Sequence, residues 1–183
     1  MTFLPDGYKV PSKSNYMKLK DGPNNIRILS SAIVGFEYWN TDNKPVRLRE
    51  NPSVIPVDIR LDEKTGKPTA IKHFWAFIVY NIDEGHIQVM EITQAGIQED
   101  IKALADNPKW GDPKGYELTI TRTGSGLETR YQTMPCPHSP LTDEIAKKYA
   151  AMTINLEALF DGGNPITEGA VMVQETQSEQ VPF

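Results

Sequence analysis

The sequence predicts a mainly β fold with peripheral helices. Three observations support this prediction: β-branched and aromatic residues fall in short runs, glycine and proline clusters separate those runs, and two later stretches carry helix signals. The chain has 183 residues, of which 39% are apolar and 23% charged. That is enough for one domain with a real core and some appended segments.

The first half of the chain predicts three main strands. Residues 25–39 are rich in β-branched side chains and are predicted to form one long strand, in which Gly35 marks a bend or bulge. Prolines and glycines make residues 40–70 a loop, in which residues 46–49 and 57–61 can form a hairpin. Residues 71–80 and 86–92 are the second and third strands, and the tight turn between them predicts that they pair.

The second half predicts a helix, two strands and a further helix. Ile97, Ile101 and Leu104 share one helical face, with Thr93 as the N-cap and Asn107 at the end. Residues 116–121 and 127–134 are strands around a Thr-Gly-Ser-Gly turn, after which three prolines break the chain. Thr142 caps the last helix, which with the following residues packs through four side chains: Ile145, Tyr149, Leu156 and Phe160.

This order of elements is that of the OB-fold, a five-stranded Greek-key barrel. Such barrels bind oligonucleotides on the face of strands two and three, between the loops that join strands one to two and four to five. We therefore predict an OB-fold domain over residues 16–160, with an extended loop between strands one and two. Residues 1–15 are predicted to form an arm, and residues 161–183 a flexible acidic tail.

The charges divide unevenly along the chain. Residues 1–82 hold 12 Lys or Arg and 8 Asp or Glu, whereas residues 83–183 hold 7 and 16. Either this is chance in an acidic protein of net charge −5, or a mildly basic binding face precedes an acidic C-terminal region. The first loop carries Lys44, Arg60, Lys64 and Lys67 among several acids, so we expect a mixed surface.

The strand at residues 71–80 carries rings beside cations, a combination on which unpaired bases can stack. Alternation leaves open which of its faces is exposed; we favour the face of Trp75 and Phe77, because His73 shares it. The candidate nucleic-acid ligands are these two rings and eight further residues: Tyr38, Trp39, Arg47, Arg49, Lys72, Arg122, Arg130 and Tyr131. For each, a packing or solvated role is the alternative.

Several segments resemble bacteriophage single-stranded-DNA-binding proteins of the OB-fold type. They are SNYMKL at 14–19, GPNNIRIL at 22–29, GFEYW at 35–39, KHFWAFIVYN at 72–81, EITQAGIQ at 91–98, WGDP at 110–113 and TRYQTMP at 129–135. The resemblance implies sequence-tolerant binding of single-stranded DNA during replication and recombination, in the cytoplasm of the infected bacterial host. It also implies that an acidic tail contacts replication proteins.

The last residues of the chain are predicted to bind partner proteins. Val181-Pro182-Phe183 resembles the Pro-Phe terminus of bacterial single-strand binders, and Glu179 lies beside it. The tail departs from that pattern because its glutamates are scattered.

Enzymatic and metal chemistry are not predicted. One cysteine and three distant histidines do not form a zinc motif, and no nucleotide-binding loop or hydrolase motif occurs. We therefore expect no enzyme activity, no cofactor and no metal, and no apolar run predicts a membrane span. The alternative function is an OB-fold protein-interaction or virion module without nucleic-acid binding.

Overall fold

One large antiparallel sheet dominates the computed structural model, which describes Phe3 and residues 14–167. Its strands are β1 (Gly22–Ile28), β2 (Ile33–Trp39), β3 (Pro45–Leu48), β4 (Lys72–Asn81), β5 (His86–Ile92), β6 (Tyr116–Thr123) and β7 (Arg130–His138). The strand order is β3-β2-β4-β1-β6-β7, and β5 pairs with β4. The prediction of a mainly β fold is confirmed, and β4 and β5 form the expected hairpin.

The predicted long first strand is broken in two. Ile28 pairs with Val79 and Ile33 with Ala76, so four residues lie opposite only two of β4. Ser30 stabilises the break, because its Oγ accepts a hydrogen bond from the Ile78 N–H. Gly35, predicted to mark the bend, instead allows a close approach: a Cβ there would lie 2.5 Å from the Leu48 carbonyl oxygen.

The hairpin predicted inside the first loop is wrong. β3 pairs with β2, with Leu48 opposite Phe36, and not with residues 57–61. Ile59 instead bridges Asn40, and Leu61 bridges Pro68. The loop therefore folds back on the end of β2.

The first helix, α1 (Ala95–Asp106), confirms the predicted apolar stripe, since Ile97 and Ile101 are buried. It begins after Gln94, not Thr93, and no side chain caps it. Strands β5 and β7 are not paired with each other in the described part of the chain, and the sheet does not close into a barrel. The helix contacts both strands: Gln98 Nε2 donates to the Ile92 carbonyl, and Asp100 Oδ2 accepts from the Thr133 N–H.

Pro135 and Pro137 do not break the chain as predicted, because both lie within β7. A proline lacks the N–H that a central strand needs, but β7 is at the edge of the sheet, where that donor is not required. The strand starts at Arg130 because residues 126–128 form a 3₁₀ turn.

The C-terminal region covers the face of β4 and β5 that points away from α1. It contains α2 (Asp143–Ala150), β8 (Thr153–Ile154), a 3₁₀ helix (Leu156–Asp161) and β9 (Ile166–Thr167). Thr142 caps α2 as predicted, its side chain accepting from the Ile145 N–H. Leu159 and Ile166 pack in one buried cluster with Phe74, Ala76 and Ile78.

The core consequently lies on both faces of β4. The second cluster joins Phe77 and Val79 to side chains of β1, β5, β6 and α1. Folded structure continues through Thr167, past residue 161 where the tail is predicted to begin, and residues 168–183 lie outside the described part. Among the described residues, no helix combines the length and apolar character needed to cross a bilayer.

Candidate nucleic-acid interface

The stacking platform predicted on β4 is largely covered. Phe77 is only 2% exposed, because it fills the cluster beneath α1, so its predicted exposure is wrong. The opposite face is no more open: Phe74 and Ile78 are fully buried under the C-terminal region. Trp75 is half-buried and is the one predicted ring of β4 that still reaches the surface.

Tyr38 and Trp39 are adjacent at the end of β2, but Tyr38 is buried and Trp39 is exposed. Tyr38 is 6% exposed and its hydroxyl donates to Asp58 Oδ1 at 2.9 Å, so it is not available for stacking. Burial, together with that bond to Asp58, raises the pKa of Tyr38. Trp39 points to the other side of the strand and is 41% exposed. Its indole lies under the Arg60 guanidinium, 5.7 Å from Arg60 Cζ to the ring centroid.

Arg47 is not a free phosphate ligand, because two glutamate side chains hold it inside the sheet. Its side chain is 11% exposed; Nε and Nη2 donate to Glu91 Oε2 at 3.0 and 2.6 Å. Glu37 Oε2 lies 3.1 Å from Nε. Burial, then the hydrogen bond between the Glu37 and Glu91 carboxyl groups, raises the pKa of Glu37 to about 8. The sequence showed alternating arginines on one strand but not the glutamates across from them.

Arg49 and Lys72 lie on the same face of the sheet as Arg47 but closer to solvent. Arg49 pairs with Glu157 and stacks 4.3 Å over the Phe160 ring, so it is committed to the C-terminal region. Lys72 is exposed, opposite Glu37 in the register. It makes no ion pair within the described residues and remains a candidate phosphate ligand.

The remaining candidates lie at the far end of the sheet. Arg122 pairs with Gly22 in the register and has its Nε 3.6 Å from Asp21 Oδ1. Arg130 is exposed, whereas Tyr131 packs against the core. Ile26 lies opposite Asn81 and Glu37 opposite Lys72, so these two positions are nine steps apart along β4, or about 30 Å of extended strand. Arg122 and Arg130 lie beyond the Ile26 end of this stretch and Trp39 beyond its Glu37 end, so we do not group them in one site.

The loop after β2 carries four cations that site prediction from the sequence left out, and one of them, Arg60, lies over Trp39. Lys44 lies in the turn after Trp39, and the Arg60 N–H donates to the Trp39 carbonyl at 2.8 Å. Lys64 and Lys67 follow on the same loop. Within the described residues none of these four cations forms an ion pair. We call Trp39 with Lys44, Arg60, Lys64 and Lys67 the Trp39 site.

Two members of this site, Arg60 and Lys64, line a concave surface of about 620 Å³, whereas Trp39, Lys44 and Lys67 are not among its lining residues. Arg60 and Lys64 line it together with hydroxyl, amide and acidic side chains: Thr41, Asn43, Asp62, Glu63 and Thr69. Asp62 is occupied locally, since its Oδ1 accepts from the Lys64 and Thr65 N–H groups, and the bonds from Thr65 and Lys64 lower its pKa. Among the described residues the cations of this mixed surface make no ion pair, although Arg60 Nη1 donates to Asn43 Oδ1 at 3.2 Å, and one of its acids is satisfied by the backbone.

Comparison with known proteins gives no further identification. No family model, no curated protein and no solved structure matches the chain. Among the described residues, no three His, Cys, Asp or Glu side chains are grouped so that they could hold a metal ion.

Proposed function

We propose that this protein binds single-stranded DNA without sequence preference, through the Trp39 site, and has no catalytic activity. The fold proposed for it is a partly open OB-type barrel. Two features support that fold: the order of the main elements, and the pairing of β1 with both β4 and β6. OB-folds are partly open barrels that use the loop between strands one and two to bind oligonucleotides. Here that loop joins β2 to β4 and contains the cations of the Trp39 site.

The observation that carries the proposal is the exposed Trp39 ring beneath Arg60. Tryptophan is a large side chain that is highly buried on average. An exposed indole beside a guanidinium favours a ligand with a flat π-face. An unpaired base stacked on such a ring contributes roughly 1–3 kcal/mol with little dependence on base identity. The arginine can also stack on a base or bind a phosphate in a fork.

The free cations supply the second half of the mechanism. Each lysine that neutralises a backbone phosphate releases condensed counterions, so affinity falls with salt by about 0.7 logarithmic units per contact. Lys44, Lys64 and Lys67 lie on one loop without competing ion pairs in the described structure. Their joint loss is expected to reduce the salt slope by about 2.

A matched pair of triple variants tests the proposal. The first is Lys44→Gln, Lys64→Gln and Lys67→Gln; the control is Lys18→Gln, Lys109→Gln and Lys147→Gln, which removes the same charge from exposed lysines elsewhere. Binding of a labelled oligo-dT strand is followed by fluorescence anisotropy at several salt concentrations. We expect weaker binding and a shallower salt slope in the first triple variant only.

Two results would reject the Trp39 site as the interface. One is an equal loss of affinity in both triple variants, which would show that net charge and not position matters. The other is failure of the wild-type chain to bind oligo-dT at low salt, which would remove the function itself. A duplex competitor and an RNA competitor define the preferred nucleic acid in the same assay.

A protein-interaction or virion module remains the second candidate function, and one observation favours it. Val54, Ile55 and Val57 are all strongly exposed on the loop before Arg60. Clustered exposed apolar side chains are typical of protein contacts. If this function is correct, oligo-dT leaves Trp39 fluorescence unchanged. The double variant Val54→Ser with Val57→Ser then loses self-association or capsid-protein capture.

The proposed biological role is protection of DNA and recruitment of partners during phage replication and recombination. The recruiting residues proposed from the sequence, Glu179, Val181, Pro182 and Phe183, lie outside the described residues. Deleting residues 168–183 and measuring oligo-dT binding beside capture of replication proteins separates recruitment from DNA binding.

A further inference from the structure

A second cleft, of about 410 Å³, lies where β1 gives way to β2. Its walls are the break at residues 30–32, one side of α1, and the turn at residues 112–114. We propose that this cleft, the Trp75 cleft, binds one nucleotide unit, with the base on Trp75 and the phosphate at Lys102 and Lys114. We expect this nucleotide to be part of a bound DNA strand, and that expectation rests on the proposed function.

Trp75 gives the cleft a flat apolar wall. The residue pairs with Val34, an exposed side chain on the same face of the sheet, and its indole packs half-buried against the core. The rest of the apolar lining comes from Ile28, Ala32, Phe77, Ile101, Ala105 and Pro113. The volume falls within the range of about 300–1,000 Å³ typical of small-molecule sites. A planar base fits such a lining better than a bulky aliphatic group does, because a flat ring can lie against the indole face.

Two ammonium groups and one carboxylate line the polar side of the cleft. Lys102 forms an exposed pair with Asp106, and Lys114 Nζ lies 3.3 Å from both Asp112 Oδ2 and Ser31 Oγ. Exposed pairs of this kind contribute only about 0–1 kcal/mol, so a phosphate can displace them. Asp112 is held by its own turn, since its Oδ1 accepts from the Lys114 N–H, which lowers its pKa.

The strand break adds donors for a base edge or a phosphate. Four residues lie opposite two of β4, so part of this backbone is not paired in the sheet. Within the described structure, the N–H groups of Ser31 and Ala32 donate to no protein acceptor. Backbone donors left open beside an apolar cleft are the polar groups that orient a ligand in such sites.

Single-tryptophan variants test the cleft directly, because the chain has three tryptophans. Trp39→Phe with Trp110→Phe leaves Trp75 as the reporter, and Trp75→Phe with Trp110→Phe leaves Trp39. Each variant is titrated with oligo-dT and, separately, with thymidine 5′-monophosphate, while anisotropy of a labelled strand reports overall binding. We expect oligo-dT to quench the Trp75 reporter.

The outcomes separate this proposal from the proposed function. A silent Trp75 in a reporter variant that still binds the labelled strand overturns the cleft proposal and leaves single-strand binding intact. A Trp75 response to the free monophosphate without strand binding supports the cleft, identifies its source as a free nucleotide, and rejects the proposed function. Silence of both reporters without strand binding overturns both proposals.

A matched steric pair on α1 provides the second test. Ala105 lines the cleft and Ala103 does not, although both are exposed on the same helix. Ala105→Phe should fill the cleft, abolish quenching of the Trp75 reporter and weaken strand binding about tenfold, the effect of losing one stacked base. Ala103→Phe should change neither. Equal behaviour of the two variants would overturn the proposal.

Discussion

At the scale of single residues, neighbours across the sheet decide what an ionisable side chain can do. Arg47 and Arg60 are both arginines of the same loop region, yet Arg47 is held by Glu91 and Glu37 whereas Arg60 lies over Trp39. The Glu37 carboxyl is buried beside Glu91, Arg47 and Lys72, with Tyr16 also close to Arg47 and Glu91. Removing this group from water favours its neutral form.

We predict that Glu37→Gln flattens the pH dependence of stability. The folded pKa of Glu37 is about 8 and its ordinary value is 4.5, so the folded state holds a proton that the unfolded chain has released between those values. Its contribution is therefore greatest below about pH 4.5 and is lost as the pH rises through about 8. A glutamine side chain has nearly the shape of the neutral Glu37 carboxyl group but does not titrate, so the substitution removes this pH dependence.

Urea midpoints from pH 4.5 to 8.5 measure the effect. The matched control is Glu99→Gln, at an exposed position of α1, which should keep the wild-type slope. A Glu37→Gln protein with the wild-type slope would show that Glu37 is already ionised in the folded protein.

At the scale of elements, α1 compensates for the open side of the sheet. Strands β5 and β7 do not pair in the described part of the chain, and side chains of the helix bond backbone groups of both strands. Gln98 bonds the Ile92 carbonyl, and Asp100 bonds the Thr133 N–H of the edge strand. The helix therefore substitutes for a strand at this edge, in addition to burying Ile97 and Ile101.

We predict that Asp100→Ala selectively loosens β7. The Thr133 N–H would lose its acceptor, a change that costs about 1–3 kcal/mol when the group stays buried. Native-state hydrogen exchange should show faster exchange of the Thr133 amide. Glu99→Ala, at the exposed neighbouring position, should leave that amide unchanged, and equal exchange in both variants would contradict the bridging role of Asp100.

At the scale of the whole molecule, the C-terminal region closes the second core and removes one face of β4 from any ligand. Phe74, Ala76 and Ile78 are completely buried beneath Leu159 and Ile166. The surfaces that we propose for binding, the Trp39 site beyond the end of β2 and the Trp75 cleft beside α1, lie outside this covered face. Both lie next to places where a strand stops.

We predict that a chain ending at Phe160 is less stable than one ending at Thr167. The shorter chain loses Ile166, which is 2% exposed, and the β8–β9 pair. Deleting a buried isoleucine side chain typically costs about 2–5 kcal/mol. Chemical unfolding of both chains, with Ile166→Ala in the full-length chain as a matched point variant, measures this. Equal midpoints would show that residues 161–167 contribute no core.

Local patterns were sufficient for much of the architecture. The hairpin of β4 and β5, the stripe of α1 and the Thr142 cap follow from contacts within a few residues, which the sequence displays directly. The break before Ile33 and the prolines inside β7 were missed, since each depends on what lies in the adjacent strand. The same limit applies to the site: Trp39 and the loop cations were visible, but not which of them stayed free.

The sequence by itself determined the type and order of the main elements, because hydrophobic periodicity and capping are local properties. It also showed that rings and cations occur together. Only the tertiary structure decided which rings meet solvent, because β4 is apolar on both faces and its covering depends on α1 and the distant C-terminal region. Burial and ion pairing are properties of neighbours in space, and those neighbours are brought together only when the chain folds.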